Sequence, residues 1–298
     1  MNTCVIHIAN RLKEYFLGSA ATNDVSIFLC GGAGAQEGNF RRDIGDEIVA
    51  KRSKYRYLVF YPEDMFLELI LGHQKYDLLT LENLLAQSVS AVVILLQSPG
   101  TFAELGAFSN HPFLKKKLII VMDPKYRTSQ SFINTGPIRH LRKETLSHVI
   151  FAKIVSENVD YLVKAISEAA RDVGARNPPC KDLTNPIACY EFYLALLYVL
   201  DPMPRSAVSD LVRVMEPEKA SVAETAAETV INGLVNNGDT LLVSGRLTVS
   251  KKGIETLLQA PRSDRRYEVL KGILSELRTM ALNAMLRRQH KHFWGEAV

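Results

Sequence analysis

Leu95-Leu96-Gln97-Ser98-Pro99-Gly100-Thr101-Phe102-Ala103-Glu104-Leu105-Gly106 joins an apolar run to a helix-starting turn. The run from Ala91 to Leu96 has the composition of a strand buried on both faces, and Ser98-Pro99-Gly100-Thr101 is a turn able to open a helix. Glu104 then falls in the first helical turn at the strand's carboxyl end, where open α/β sheets bind ligands. Turn amides and the positive end of the helix dipole favour an anion there, and a carboxylate can attack or stabilise an electron-poor carbon. The same glutamate can instead serve the helix alone, at N3 of a Thr101-x-x-Glu104 capping box. The residues by themselves leave both readings open.

Upstream, Val5 to Leu17 carries apolar residues at helical spacing, and Val25 to Cys30 is a β-rich run that ends in Gly31-Gly32-Ala33-Gly34. Glycines directly after a first strand permit close backbone approach by a ligand; as a dinucleotide fingerprint this set is one residue too long. A tight turn is the plainer reading. A helix over 41–51 leads to a second strand, Tyr57 to Tyr61, which runs into Pro62-Glu63-Asp64. Two helical stretches follow, the second capped by Thr80, with Glu82 either serving its dipole or pointing into a site. Downstream of Glu104 come strands at Lys117 to Met122 and Val149 to Phe151, with the polar loop Ser131-Phe132-Ile133-Asn134-Thr135-Gly136-Pro137 between them. A helix over 156–175 closes the series. This alternation predicts a doubly wound parallel sheet flanked by helices.

Arg176-Asn177-Pro178-Pro179-Cys180 reads as an interdomain joint, which sets domains of 1–176 and 177–298. The second is mainly helical (187–200, 206–215, 221–236), followed by β-rich halves around Ser244-Gly245, a hairpin signal, and a helix opened by Lys251-Lys252-Gly253. That order predicts a winged-helix domain. Its third helix carries Glu224 and Glu228, so the wing residues Arg246, Lys251 and Lys252 are the better phosphate contacts.

A net charge of +4 is too small to demand nucleic acid, although basic residues gather between Arg262 and His292. The four cysteines, Cys4, Cys30, Cys180 and Cys189, show no metal-ligand spacing and read as reduced thiols, so no metal is expected. Without an apolar run of spanning length or a signal-peptide pattern, the expectation is a cytoplasmic protein with no membrane partner.

The ordered blocks Ile27 to Gly32, Phe60 to Asp64, Leu79 to Asn83, Ser98 to Asn110 and Ser131 to Pro137 resemble the nucleoside deoxyribosyltransferase-like family, and more closely the effector proteins of bacterial retrons. The resemblance covers about half the chain; the C-terminal third matches only in its pattern of elements. It implies a Rossmann-type transferase fold joined to a winged helix, with Glu104 as the nucleophile toward an anomeric carbon. It also implies Gly31, Gly32, Asp64, Glu82, Ser98, Gly100, Thr101 and Asn134 around the substrate, Asn134 closing the site from its own or a neighbouring subunit. The transferases carry an aspartate, associated with protonating the leaving base, near the place of Ser98. Nicotinamide leaves as a neutral base without a proton, which favours NAD as substrate and calls for no cofactor.

The resemblance further implies a toxin of antiphage defence, held by a retron reverse transcriptase and its msDNA, a DNA–RNA hybrid, in a homo-oligomer or larger assembly. Two alternatives stand beside NAD cleavage. One is an N-glycosidase or transferase acting on deoxynucleosides or nucleotides. The other is a nucleotide-sensing DNA-binding regulator without turnover.

Overall fold

The computed structural model describes residues 2–18, 24–32, 40–51, 53–61, 88–259 and 264–287. They fall into two compact units: one gathers the described residues between 24 and 179, the other joins residues 2–18 to those from Cys180 onward. Helix α1 (Thr3–Leu17) therefore belongs with the C-terminal part, whereas the division at 176/177 places it with the α/β part. Its Val5, Ile8 and Leu12 form one apolar stripe at helical spacing, buried in the same core as the C-terminal helices.

The α/β unit begins with β1 (Asp24–Cys30), α2 (Phe40–Ala50), β2 (Arg56–Phe60) and β3 (Ala91–Leu95). It continues with α3 (Pro99–Asn110), β4 (Leu118–Met122), α4 (Arg139–Glu144), β5 (His148–Phe151) and α5 (Val159–Arg176). All five strands are parallel, in the order β2-β1-β3-β4-β5, at the places where the apolar runs predict them. β3 and β4 are buried along their whole length because helices cover both faces. Ile27, Leu29, Val93, Leu95, Ile119 and Val121 share a core with α2 and α5. The alternate residues Phe28, Val92, Ile94 and Ile120 turn to the opposite face, where α3 buries Leu105 and Phe108.

Polar contacts pin the register at the amino edge of the sheet. Arg56 Nε and Nη2 reach the two carboxylate oxygens of Asp24 at 2.9 and 2.5 Å, tying β2 to β1 in a bidentate pair. The Ser26 amide donates to Ser90 Oγ at 3.1 Å and the Ser90 amide to Ser26 Oγ at 2.9 Å, locking the start of β3 to β1. The buried Lys117 ammonium donates to Val89 O at 2.8 Å.

The C-terminal unit contains α6 (Pro186–Val199), β6 (Met203–Pro204), α7 (Arg205–Met215), α8 (Ala220–Asn236), β7 (Thr240–Val243), β8 (Arg246–Val249), α9 (Lys251–Gln259) and α10 (Asp264–Arg287). Its small antiparallel sheet runs β6-β8-β7, and the β7–β8 turn sits at Ser244-Gly245 with φ of 49° and 76°. Positive φ at both central residues is what a two-residue hairpin of the right twist requires. Helix α6 is the hub. Asn185 Oδ1 caps it by accepting from the Ile187 and Ala188 amides at 3.0 and 3.1 Å, and Pro186 follows at the first helical position. The basic tail has a structural side: α10 buries Leu270, Leu274, Leu277 and Ala281, and Arg278 Nη1 donates to the Tyr198 and Val199 carbonyls at 2.8 and 3.1 Å. Those carbonyls end α6, where a cation is favoured by the dipole.

Before α6, Asp182 accepts from the Thr184 amide and hydroxyl and from Lys219 Nζ, the ammonium lying at 2.9 Å. Burial pushes the Asp182 carboxyl up, but hydrogen bonds from Cys180, Thr184 and Lys219 outweigh it and hold the group well below the usual carboxylate range. A depressed folded pKa gives stability that is present above the unfolded value of about 3.9 and is lost as pH falls toward the folded value. Asp182→Asn is therefore expected to lower the urea midpoint at neutral pH. Its deficit relative to wild type should shrink on acidification below about pH 4, as followed by circular dichroism.

Candidate active site

Between β1 and β3 the strand order reverses: the chain leaves β1 toward β2 on one side and returns to β3 on the other. Crevices at such reversals, outside the carboxyl ends of the strands, are where α/β sheets hold ligands. Two turns meet here. Cys30-Gly31-Gly32 ends β1, and Leu96-Gln97-Ser98 ends β3, with Cys30 paired to Ile94 across the ladder. A Cβ on Gly31 would lie 3.3 Å from Leu95 Cδ1, so the glycine turn sits directly against the end of β3.

The helix carrying Glu104 starts at Pro99, three residues before the start that a Thr101 cap would give, with Ser98 as its N-cap. The structure removes the Thr101-x-x-Glu104 capping box. Thr101 itself stands at the third helical position, 2% exposed, where its Oγ1 donates to Ser98 O at 2.7 Å and accepts from the Ser98 and Gln97 amides at 3.1 and 3.2 Å. That is the full hydrogen-bonding capacity of one hydroxyl. Thr101 thus builds the turn, and Glu104 falls in the second helical turn, not the first, about 7.5 Å along the axis from Pro99 at 1.5 Å per residue. Glu104 is half-buried on the edge of the face formed by Thr101, Leu105 and Phe108, with Oε2 out of solvent. Gly100 is exposed, and Ser98 is half-buried, its backbone amide and carbonyl both bonded to the Thr101 hydroxyl.

Asn134 lies in a π-helix (Asn134–Ile138), where the sequence predicts a Gly-Pro turn. Pro137 has no N–H to donate within the helix, and the backbone widens so that the Arg139 amide reaches Asn134 O, five residues back. The π-helix packs against α3. Asn134 Nδ2 donates to Tyr126 O at 2.6 Å and Ser129 O at 2.7 Å, so its amide hydrogens hold the 126–131 loop. Asp64 and Glu82 lie outside the described residues. Among the described residues no cluster of His, Cys, Asp and Glu side chains could hold a metal ion, and none of the four cysteines forms a disulfide.

One residue at this edge escapes the sequence reading. Arg41, in the first turn of α2, is 4% exposed, and its stem covers Gly31: a Cβ there would meet Arg41 Cδ at 2.8 Å and Cγ at 3.3 Å. Its guanidinium carbon lies 5.3 Å from the Tyr61 ring centroid, and that of Arg42 lies 4.3 Å from the same ring. The signal available in sequence is Arg41-Arg42 in the first turn of a helix, where the dipole disfavours cations.

The expected phosphate contacts of the C-terminal unit separate. Lys251 is exposed; Lys252 Nζ donates to Asn237 O at the end of α8; Arg246 is half-buried with Nη1 out of solvent. The strand beside them is apolar at its surface, with Leu241, Leu242 and Val243 all exposed. A basic cleft of about 390 Å³, lined by Lys116, Arg142, Lys143 and Arg176 among others, lies at the amino edge of the α/β sheet, away from Glu104.

Residues 38–235 match the family model described as STM3845 retron effector protein. The chain belongs to this retron effector family. It is 31% identical over 252 residues to the Escherichia coli "Retron Ec86 putative ribosyltransferase/DNA-binding protein", covering 81% of this chain and 80% of that protein. A shorter likeness, 38% over 88 residues, or 29% of this chain and 28% of the other, links it to the Escherichia coli protein of retron Ec73 with the same description. No helix among the described residues is long and apolar enough to cross a membrane.

Thr101→Val is expected to lower stability by about 1 kcal/mol, the usual worth of a helix-start hydrogen bond. Glu104→Gln should lower stability by less than Thr101→Val, because Glu104 takes no part in the hydrogen bonds that close the helix start. Thermal unfolding of the two variants checks the assignment; equal losses would return Glu104 to the cap.

Proposed function

We propose that this retron effector cleaves an N-glycosidic bond and that Glu104 is the group acting at the anomeric carbon. The observation that carries the reading is the helix start. Thr101 and Ser98 close it without Glu104, whose helix follows β3, one of the two strands between which the strand order reverses. The names of the Escherichia coli relatives, which speak of ribosyl transfer and DNA binding, support the same class of chemistry. In the doubly wound, deoxyribosyltransferase-like reading of the fold, ribose lies over Gly31 and Gly32.

As the C1′–N bond breaks, positive charge builds on C1′ and the ring oxygen. A carboxylate there either bonds to C1′, to be displaced by water, or stabilises the cation until water adds. No acid stands beside Ser98 among the described residues of that turn, and a leaving group that departs neutral makes one unnecessary. The pyridinium nitrogen of NAD+ is such a leaving group: NAD+ and water give nicotinamide, ADP-ribose and a proton. We take NAD+ as the substrate on this ground, and a growth-arresting role in retron defence as its consequence.

The order α6-β6-α7-α8-β7-β8 supports a winged helix, with β7–β8 as the wing. In that reading the unit meets the reverse transcriptase and msDNA, Lys251 supplying phosphate contact and the apolar wing edge a protein contact. Lys251→Glu is expected to weaken binding to a DNA–RNA hybrid in a filter assay and to reduce its salt dependence by about one counterion.

The decisive test of the chemistry is cellular NAD, measured by mass spectrometry after inducing wild type or Glu104→Gln without the reverse transcriptase. NAD is expected to fall with wild type and to hold with the variant, whose turnover should drop on the order of 10²-fold or more. Growth arrest with steady NAD and free bases released from the deoxynucleotide pool would instead select the nucleotide N-glycosidase.

A further inference from the structure

Three segments of the α/β unit meet where β4 and β5 begin, and together they line the basic cleft of about 390 Å³. Lys116 stands two residues before β4, Arg142 to Leu146 make up the end of α4 and the approach to β5, and Arg176 and Asn177 lie at the end of α5. The walls are tied to one another. Asn177 Nδ2 donates to Lys116 O at 3.1 Å, Nη1 and Nη2 of Arg176 each donate to Leu146 O at 3.3 Å, and Ser147 Oγ donates to Lys115 O at 3.0 Å. A cleft joined on three sides in this way is preorganised for whatever it binds.

Its cations divide into two groups. Lys115 Nζ lies 3.8 Å from Glu144, and Arg176 bonds Asp172, so both have carboxylate partners. Arg142 rests on an aromatic ring, its guanidinium carbon 5.7 Å from the Phe151 centroid. Lys116 and Lys143 are exposed, and among the described residues neither ammonium has a hydrogen-bond or ion-pair partner. The dipole of α4 accounts for a cation in its last turn, which covers Lys143 alone; Lys116 ends only a three-residue 3-10 turn. Sites for a small anion are built from backbone N–H groups at a helix start or in a nest. Here two helices end, and a lone phosphate would meet their negative poles. A polyanion instead takes one ammonium for each of its recurring phosphates and gains from counterion release at every contact.

We infer that this cleft binds the sugar-phosphate backbone of a nucleic acid, Lys116 and Lys143 each neutralising one phosphate. Contacts of this kind position a duplex without reading its sequence. The site lies on the α/β unit, separate from the wing residues, and at the opposite end of the strands from the start of the Glu104 helix. The inference holds whichever reaction Glu104 serves.

The test is fluorescence anisotropy of the full chain with a labelled DNA duplex of about 20 base pairs, between about 50 and 200 mM salt. Lys116→Gln with Lys143→Gln is expected to bind about tenfold more weakly or worse, and to lose about two from the slope of log K against log salt, since each phosphate contact contributes about 0.9. Lys116→Arg with Lys143→Arg keeps both charges and should keep both affinity and slope. Lys153 and Lys164 are exposed and do not line the cleft. Changing that pair to glutamine removes the same charge and should leave the slope as in wild type. Thermal unfolding of all three variants should match wild type, because the changes fall on exposed side chains. A wild-type chain that does not bind the duplex would overturn the inference. So would an unchanged slope in the cleft glutamine pair, an equal loss in the Lys153 and Lys164 pair, or a loss in the arginine pair. Displacement of the duplex by millimolar pyrophosphate at constant ionic strength would overturn it in favour of a small phosphate ligand.

Discussion

The parallel pairing of β1 with β3, two strands separated in the chain by the whole excursion through β2, is the constraint from which the α/β unit follows. Because the chain reverses its direction across the sheet between them, the helix after β1 and the helix after β3 leave toward opposite faces. α2 joins the core containing Ile27, Leu29, Val93 and Leu95, while α3 covers the other side. A crevice is expected between the two strand ends at such a reversal, and among the described residues the backbone turns at Gly31 and Ser98 form its walls. The serine pair at residues 26 and 90 and the Arg56–Asp24 bridge hold this register from the far edge, at a distance from the chemistry. A slip of one residue would exchange the two faces of every strand.

All five strands could be read from sequence because each is an unbroken β-rich or apolar run, the form a strand takes when both faces are buried. The start of the Glu104 helix was harder to read for a definable reason. Ser98-Pro99-Gly100-Thr101-Phe102-Ala103-Glu104 contains two overlapping capping signatures, one from Ser98 to Thr101 and one from Thr101 to Glu104. Pro99 decides between them, since proline is favoured at the first helical position and Ser98 then has to be the cap. That choice determines whether Glu104 serves as the cap partner of its own helix. The burial of Arg41 could not be read in the same way: it follows from glycines at 31 and 45 whose missing side chains matter only once β1, β2 and α2 are assembled.

In the C-terminal unit the sequence pattern showed the order of elements better than the use of individual charges. A run of basic residues after Arg262 suggests an open surface, yet Arg278 caps the end of α6 and Lys271 pairs with Glu268 at 2.7 Å. Both are local electrostatic uses of charge that a linear count cannot separate from ligand contact. Placement of α1 shows the same limit. Its amphipathic stripe is plain in sequence, but a stripe does not name the core that covers it, and here that core is built on α6.

Arg41 is where the local and global preferences of this chain conflict most. A buried guanidinium carries a desolvation cost of several kcal/mol, and replacing buried ionic groups with apolar residues of similar volume is often neutral or stabilising. Its position in the first turn of α2 adds an unfavourable dipole term of about 0.3–1 kcal/mol. Gly45, within the same helix, adds a propensity cost of about 1 kcal/mol relative to alanine. These costs fall on one helix and one strand end, all at the edge of the sheet where the strand order reverses. Conflict concentrated at one place is the pattern expected of a binding site and not of a scaffold.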